Sequence, residues 1–148
     1  MFRWFKKREQ PKLIDRDLGE LTLQGGYWWG EVAFGGAKVQ VLVRDEHGNP
    51  AQGVMAAIEE FGRRYTELQP AFAVELRELF EPWHKEWWTG QEPLEKGDSL
   101  LAQFELVSIE VEPPAIKQLG FCLKKGWDDA TFRVSLDGWI PKGLGVED

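Results

Sequence analysis

Residues 27–44 read Tyr-Trp-Trp-Gly-Glu-Val-Ala-Phe-Gly-Gly-Ala-Lys-Val-Gln-Val-Leu-Val-Arg. Val39, Val41 and Val43 fall on one side of a period-two repeat, and Lys38, Gln40 and Arg44 on the other, the mark of a half-buried strand. Upstream, Trp28, Val32 and Phe34 share one face, while Tyr27, Trp29, Glu31 and Ala33 share the opposite one. Gly35-Gly36 lies between the two runs and supplies the positive φ that a tight hairpin requires. A second pair, Gly25-Gly26, follows the looser alternation of Leu18–Gln24. Residues 18–44 therefore predict a three-stranded antiparallel meander.

The pattern then changes period. Asn49, Pro50 and Gln52 form a helix-start signal, with a cap, a proline for the first turn and a capping-box glutamine. Val54, Ala57, Ile58, Phe61, Tyr65 and Leu68 follow on one helical face. Pro70 disfavours the α region for Gln69, so the spacing predicts a break there and a second helix from Pro70. Phe72, Leu76, Leu79, Phe80, Trp83 and Trp87 line that helix, with Pro82 predicting a kink or an end near Phe80. Thr89–Ser99 reads as a surface loop. Three further strands are expected at Leu100–Glu112, Lys117–Lys124 and Thr131–Asp137, and Trp139–Asp148 as an irregular tail. Strands and helices segregated as βββ-αα-βββ predict an α+β domain over residues 13–148. The expected architecture is an antiparallel sheet of about six strands with two helices packed on one face.

The 148 residues suit one domain. Cys122 is the single cysteine, which excludes an internal disulfide and a multi-cysteine zinc site. The net charge of −7 conceals an asymmetry. Residues 1–12 carry Arg3, Lys6, Lys7, Arg8 and Lys12 against Glu9, a net +4, which leaves −11 on residues 13–148. An acidic body repels phosphates, so nucleic acid is not an expected partner. The basic, aromatic segment 1–12 reads as flexible. Its first eight residues could touch an anionic membrane surface, the least favoured of three readings because they make only about two helical turns. No secretory h-region and no run of roughly 18 apolar residues occurs, which points to the cytoplasm.

The head Met1-Phe2…Phe5-Lys6-Lys7, Asp15-x-x-Leu18-Gly19-Glu20-Leu21, Trp28-Trp29-Gly30-Glu31 and Trp127-Asp128-Asp129-x-x-Phe132-x-Val134 together form a pattern. It resembles a loose group of small bacterial proteins classed as domains of unknown function. The resemblance implies a cytoplasmic α+β domain and, since some similar proteins sit near toxin genes, an immunity-type role. It implies no catalytic pattern.

The residues themselves offer little chemistry. No Gly-x-Ser-x-Gly elbow and no phosphate loop opening a helix is present. Cys122 sits mid-strand as a small packed hydrophobe. His47 and His84 are 37 residues apart and would need a carboxylate such as Glu81 or Glu86 to approach a zinc set, so no metal and no cofactor is expected. Asp128-Asp129 reads as turn chemistry.

The eight tryptophans are the lead. Of Trp28 and Trp29, one must pack under the helices and the other must face away. Exposed aromatics anchor protein interfaces, so the expected binding residues are Tyr27, Trp29, Glu31, Trp127, Asp128 and Trp139. The expected function is non-catalytic binding of a basic protein partner, with a homodimer as another use of the same surface. The alternative is a small-ligand binder or enzyme with an aromatic-lined pocket, using Glu31 or His84 as its polar group.

Overall fold

The structure, a computed structural model, describes residues 11–45, 52–87, 98–124 and 130–147. It contains eight strands, β1 (Lys12–Asp15), β2 (Gly19–Gln24), β3 (Tyr27–Phe34), β4 (Ala37–Arg44), β5 (Phe104–Glu112), β6 (Ala115–Leu123), β7 (Thr131–Asp137) and β8 (Ile140–Glu147). One long helix, α1 (Val54–Trp87), and a single turn, α2 (Asp98–Leu101), lie between β4 and β5. The strands form one sheet in sequence order, β1 to β8. Every pairing is antiparallel except β4 with β5, which is parallel.

This corrects the expected architecture in three respects. The two helices are one, the six strands are eight, and the sheet is mixed rather than antiparallel. Pro70 and Pro82 both lie inside α1. Each removes one backbone hydrogen bond, yet both face solvent, where the freed carbonyls can be hydrated. The buried stripe of Phe61, Leu68, Phe72, Leu76, Phe80 and Trp83 runs past Pro70 without a phase break. Packing along that stripe outweighs the local penalty. The added strands are β1 and β8. The parallel pairing follows from the helix, because parallel neighbours need a crossover of a dozen residues or more.

The six expected strand segments correspond to β2–β7, except that Leu100 and Leu101, expected to open the fourth of them, belong to α2 with Ser99 of the expected loop. Both Gly-Gly hairpins have two positive φ values, 61° and 82° at Gly25-Gly26 and 59° and 82° at Gly35-Gly36. Two-residue turns of this kind fix register, and Trp29 stands opposite Thr22 on one side and Leu42 on the other. At the start of α1 the Gly53 carbonyl accepts the first helical bond from the Ala57 amide, 3.1 Å away. The expected cap residues Asn49 and Pro50 lie outside the described residues, and Gln52, expected in the first helical turn, lies in a turn ahead of α1.

The core lies between α1 and one face of the sheet. Phe61, Phe72, Phe121, Phe132, Leu21, Leu76 and Leu119 are almost completely buried there. Aromatic rings carry much of the packing. Phe34 of β3 stacks on Phe61 at 5.2 Å, Phe72 meets Phe121 at 5.7 Å, and Phe132 contacts Trp83 and Phe104 at 5.4 and 5.1 Å. Edge-to-face and offset pairs of this kind add to plain area burial.

α1 also runs across β8. The Gly143 amide donates to a Glu75 carboxylate oxygen at 3.0 Å. A Cβ on Gly143 would lie 3.1–3.3 Å from three carbons of Leu79, so the strand approaches the helix more closely than strands bearing side chains ordinarily do. Of the glycines that make this segment read as irregular, Gly143 is the one this approach uses, since a Cβ on Gly145 would meet open space. Glu75→Ala should lower stability by about 1–3 kcal/mol by stranding a part-buried amide. Gly143→Ala should cost a similar amount through overpacking. Urea denaturation measures both, and an unchanged midpoint in Glu75→Ala would remove the hydrogen bond from the account.

Candidate functional site

The sheet face turned away from α1 is uncovered by any described element. Period-two alternation sends every second residue to it, and the pairings align those residues into rows. One row crosses all eight strands: Lys12, Thr22, Trp29, Leu42, Glu110, Gln118, Ser135 and Lys142. A second row holds Glu31, Gln40, Ser108, Gly120 and Arg133. In the second row Gly120 leaves a depression occupied by the Ser108 hydroxyl, and a Cβ at Gly120 would overlap it.

Tyr27, Trp29 and Glu31 share this outer face. Tyr27 and Trp29 are half-buried and Glu31 is exposed. The Trp29 indole N–H donates to the Gln24 carbonyl of its own hairpin at 3.0 Å, which holds the ring in place. Trp28 goes to the opposite side, packs on the core and donates its indole N–H to Asp45 at 3.0 Å. The tryptophan pair thus divides between the two faces, with Trp29 outward.

Trp139 does not join them. It occupies the two-residue turn between β7 and β8 with φ 70°, next to Gly138 at 53°. That turn places its ring on the helix side, packed on the core and under the Arg64 guanidinium, 4.9 Å from the ring centroid. A bulky side chain in the left-handed region is strained, and the cation–π contact and core packing offset the strain. Trp127 and Asp128 lie outside the described residues, as do His47 and Asp129. His84 sits half-buried on α1, 5.2 Å from the Phe80 ring. Glu31 and His84 are therefore on opposite sides of the sheet and belong to no common site. Cys122 is half-buried on the outer face, with its sulfur 3.8 Å from the Thr131 hydroxyl oxygen.

Electrostatics on the outer face are mixed. Lys12 pairs with Glu20 at 3.2 Å, Lys117 with Glu112 at 3.8 Å and Arg133 with Glu147 at 2.8 Å. Arg133 Nε makes no angularly acceptable hydrogen bond despite that short approach, so the pair is a charge contact only. Among the described residues, no three His, Cys, Asp or Glu side chains gather as a metal set. Also among them, no helix is long and apolar enough to cross a membrane.

Sequence reasoning missed Leu42 and Thr22, the cross-strand neighbours of Trp29. The two-residue Gly-Gly turns carried that signal, since they force the 29–42 and 22–29 pairings. Glu110 and Gln118 had no comparable signal, because their place in the row depends on the non-local β4–β5 register. No protein-family model, no curated protein and no solved structure matches this chain.

A compact charge cluster lies on α1. Glu60 accepts from Arg63 at 2.6 Å and from Arg64 Nε at 2.6 Å. Hydrogen bonds from Arg63 and then Arg64 hold the Glu60 carboxyl below its ordinary value of 4.5. A depressed carboxylate stabilises the fold above its unfolded pKa, and the contribution disappears as pH falls through the folded one. Glu60→Gln should therefore lower the thermal midpoint at pH 7, with the gap to wild type closing in acid below the Glu60 folded pKa. A gap independent of pH would show that this ion pair does not couple to stability.

Proposed function

We propose that the chain acts by binding rather than catalysis, as a protein-interaction domain of the immunity type working in the cytoplasm. Its contact surface is the outer face of the sheet and its partner a basic protein. The observation that carries this reading is the placement of Tyr27 and Trp29, half-buried on the face that α1 leaves uncovered. Trp29 is anchored to its own hairpin, so little side-chain freedom remains to be lost on contact, and rigid aromatics are the usual anchors of interfaces. Leu42 beside it extends the apolar surface, and Thr22, Gln40, Ser108 and Gln118 provide a hydrogen-bonding surround of the kind interface rims show. The net charge of −7 favours encounter with a positively charged partner. The same composition gives no reason to expect nucleic acid.

The test uses the full chain as bait at low salt. Wild type should retain a basic protein whose recovery falls about tenfold with Trp29→Ala and is unchanged with Glu78→Ala, on the exposed side of α1. Added salt should weaken the capture. Equal recovery by Trp29→Ala and wild type would overturn the reading. A wild-type dimer that Trp29→Ala dissociates would assign the face to a second copy of the chain.

A further inference from the structure

On the helix side of the sheet, away from the outer face, a cavity of about 340 Å³ opens between α1 and the start of β5. Tyr65 and Gln69 of α1, Leu101 of α2, Ala102, Phe104 of β5 and Lys124 after β6 line it. The volume is at the lower end of the roughly 300–1,000 Å³ typical of small-molecule sites.

Its walls are held from behind. Phe104 is fixed edge-on to Phe80 at 5.7 Å and to Phe132 at 5.1 Å. Tyr65 is set among Phe34, Phe61 and Phe72 at 5.3, 5.5 and 5.9 Å. The rim is tied by the backbone, with the Lys124 amide donating to the Gln103 carbonyl at 2.9 Å and the Gln103 amide to the Leu100 carbonyl at 3.0 Å. Three residues with polar side chains, Tyr65, Gln69 and Lys124, share this lining with Leu101, Ala102 and Phe104. None of the three has a hydrogen-bond or ion-pair partner among the described residues.

The chemistry of the lining narrows the ligand. Lys124 is the charged side chain of the lining, and no carboxylate accompanies it, which disfavours a cation. The lining groups are rich in donors, since the ammonium, the phenol and the amide NH₂ all donate. A phosphate would call for more positive charge, or for a nest of backbone amides. We propose that the cavity binds a small planar carboxylate, its ring or unsaturated chain against Phe104 and Leu101 and its carboxylate on Lys124 and the Tyr65 hydroxyl. Burial pushes the Tyr65 phenol above its ordinary value of 10.0, so it stays a proton donor throughout the neutral range.

Benzoate and its neutral isostere benzamide are suitable probes, titrated into the ¹⁵N-labelled full chain. Benzoate should produce saturable shifts at the Leu101, Ala102 and Lys124 amides, with a Kd of about 1 mM or tighter. Benzamide should bind about tenfold more weakly, and Lys124→Met should impose a loss of similar size on benzoate. Leu101→Trp, which fills the cavity and leaves the polar groups in place, should abolish binding. Tyr65→Phe keeps the ring and its packing and should weaken benzoate about threefold or more. Absence of saturable shifts at these amides, equal affinity for benzoate and benzamide, or indifference to both Lys124→Met and Leu101→Trp would overturn the proposal. None of these variants touches the outer face, so the outcome is independent of the bait experiment.

Discussion

The molecule depends on one helix covering the apolar face of an eight-stranded sheet. Seven spacings of roughly 4.8 Å would put the outermost strands about 34 Å apart if the sheet were flat. A helix with its side chains is only about 10 Å across. Aliphatic side chains alone would leave the flanks of such a sheet open. The chain resolves the mismatch with large rings that reach from both partners. Phe34 extends from β3 to Phe61, and Phe104, Phe121 and Phe132 rise from β5, β6 and β7 to meet Phe72, Phe80 and Trp83. The aromatic richness of the sequence is thus largely a property of this geometry, with Tyr27 and Trp29 left over on the other face.

That constraint also explains what could and could not be read from the sequence. β3 and β4 were legible because period-two alternation and glycine turns are local signals. The division of Trp28 from Trp29 follows from the same alternation. The continuity of α1 was not legible, because Pro70 is a local breaker and the packing that overrides it comes from distant strands. β8 was hidden for a related reason. Where α1 crosses the strand, Gly143 meets Leu79 directly, so the pattern of large inward residues is absent. Trp139 reads from the sequence as the first residue of an irregular tail, and only the turn geometry and Arg64 bring it to the helix side.

The candidate surfaces differ in the same way. Thr22, Trp29 and Leu42 of the outer-face row are implied by two hairpins, while Glu110, Gln118, Ser135 and Lys142 depend on a parallel register with no sequence signature. The cavity draws its lining from positions 65 to 124, on two helices, a strand and the segments joining them. No spacing rule links those positions. Its polar groups are ordinary in type, and they become notable only when their lack of partners among the described residues is set beside the aromatic walls around them.

The β4–β5 pairing has a kinetic side. Strand contacts elsewhere in the sheet join neighbours that are close in sequence, so each four-stranded meander can assemble from local contacts. The seam between them joins Gln40 to Ser108 and Val43 to Val111, closing a loop of more than sixty residues that contains α1. Loop-closure entropy is concentrated there, and topologies with such long-range contacts fold more slowly than those built from local ones. The sheet is one body once formed, yet in time it is two halves waiting on a single parallel ladder.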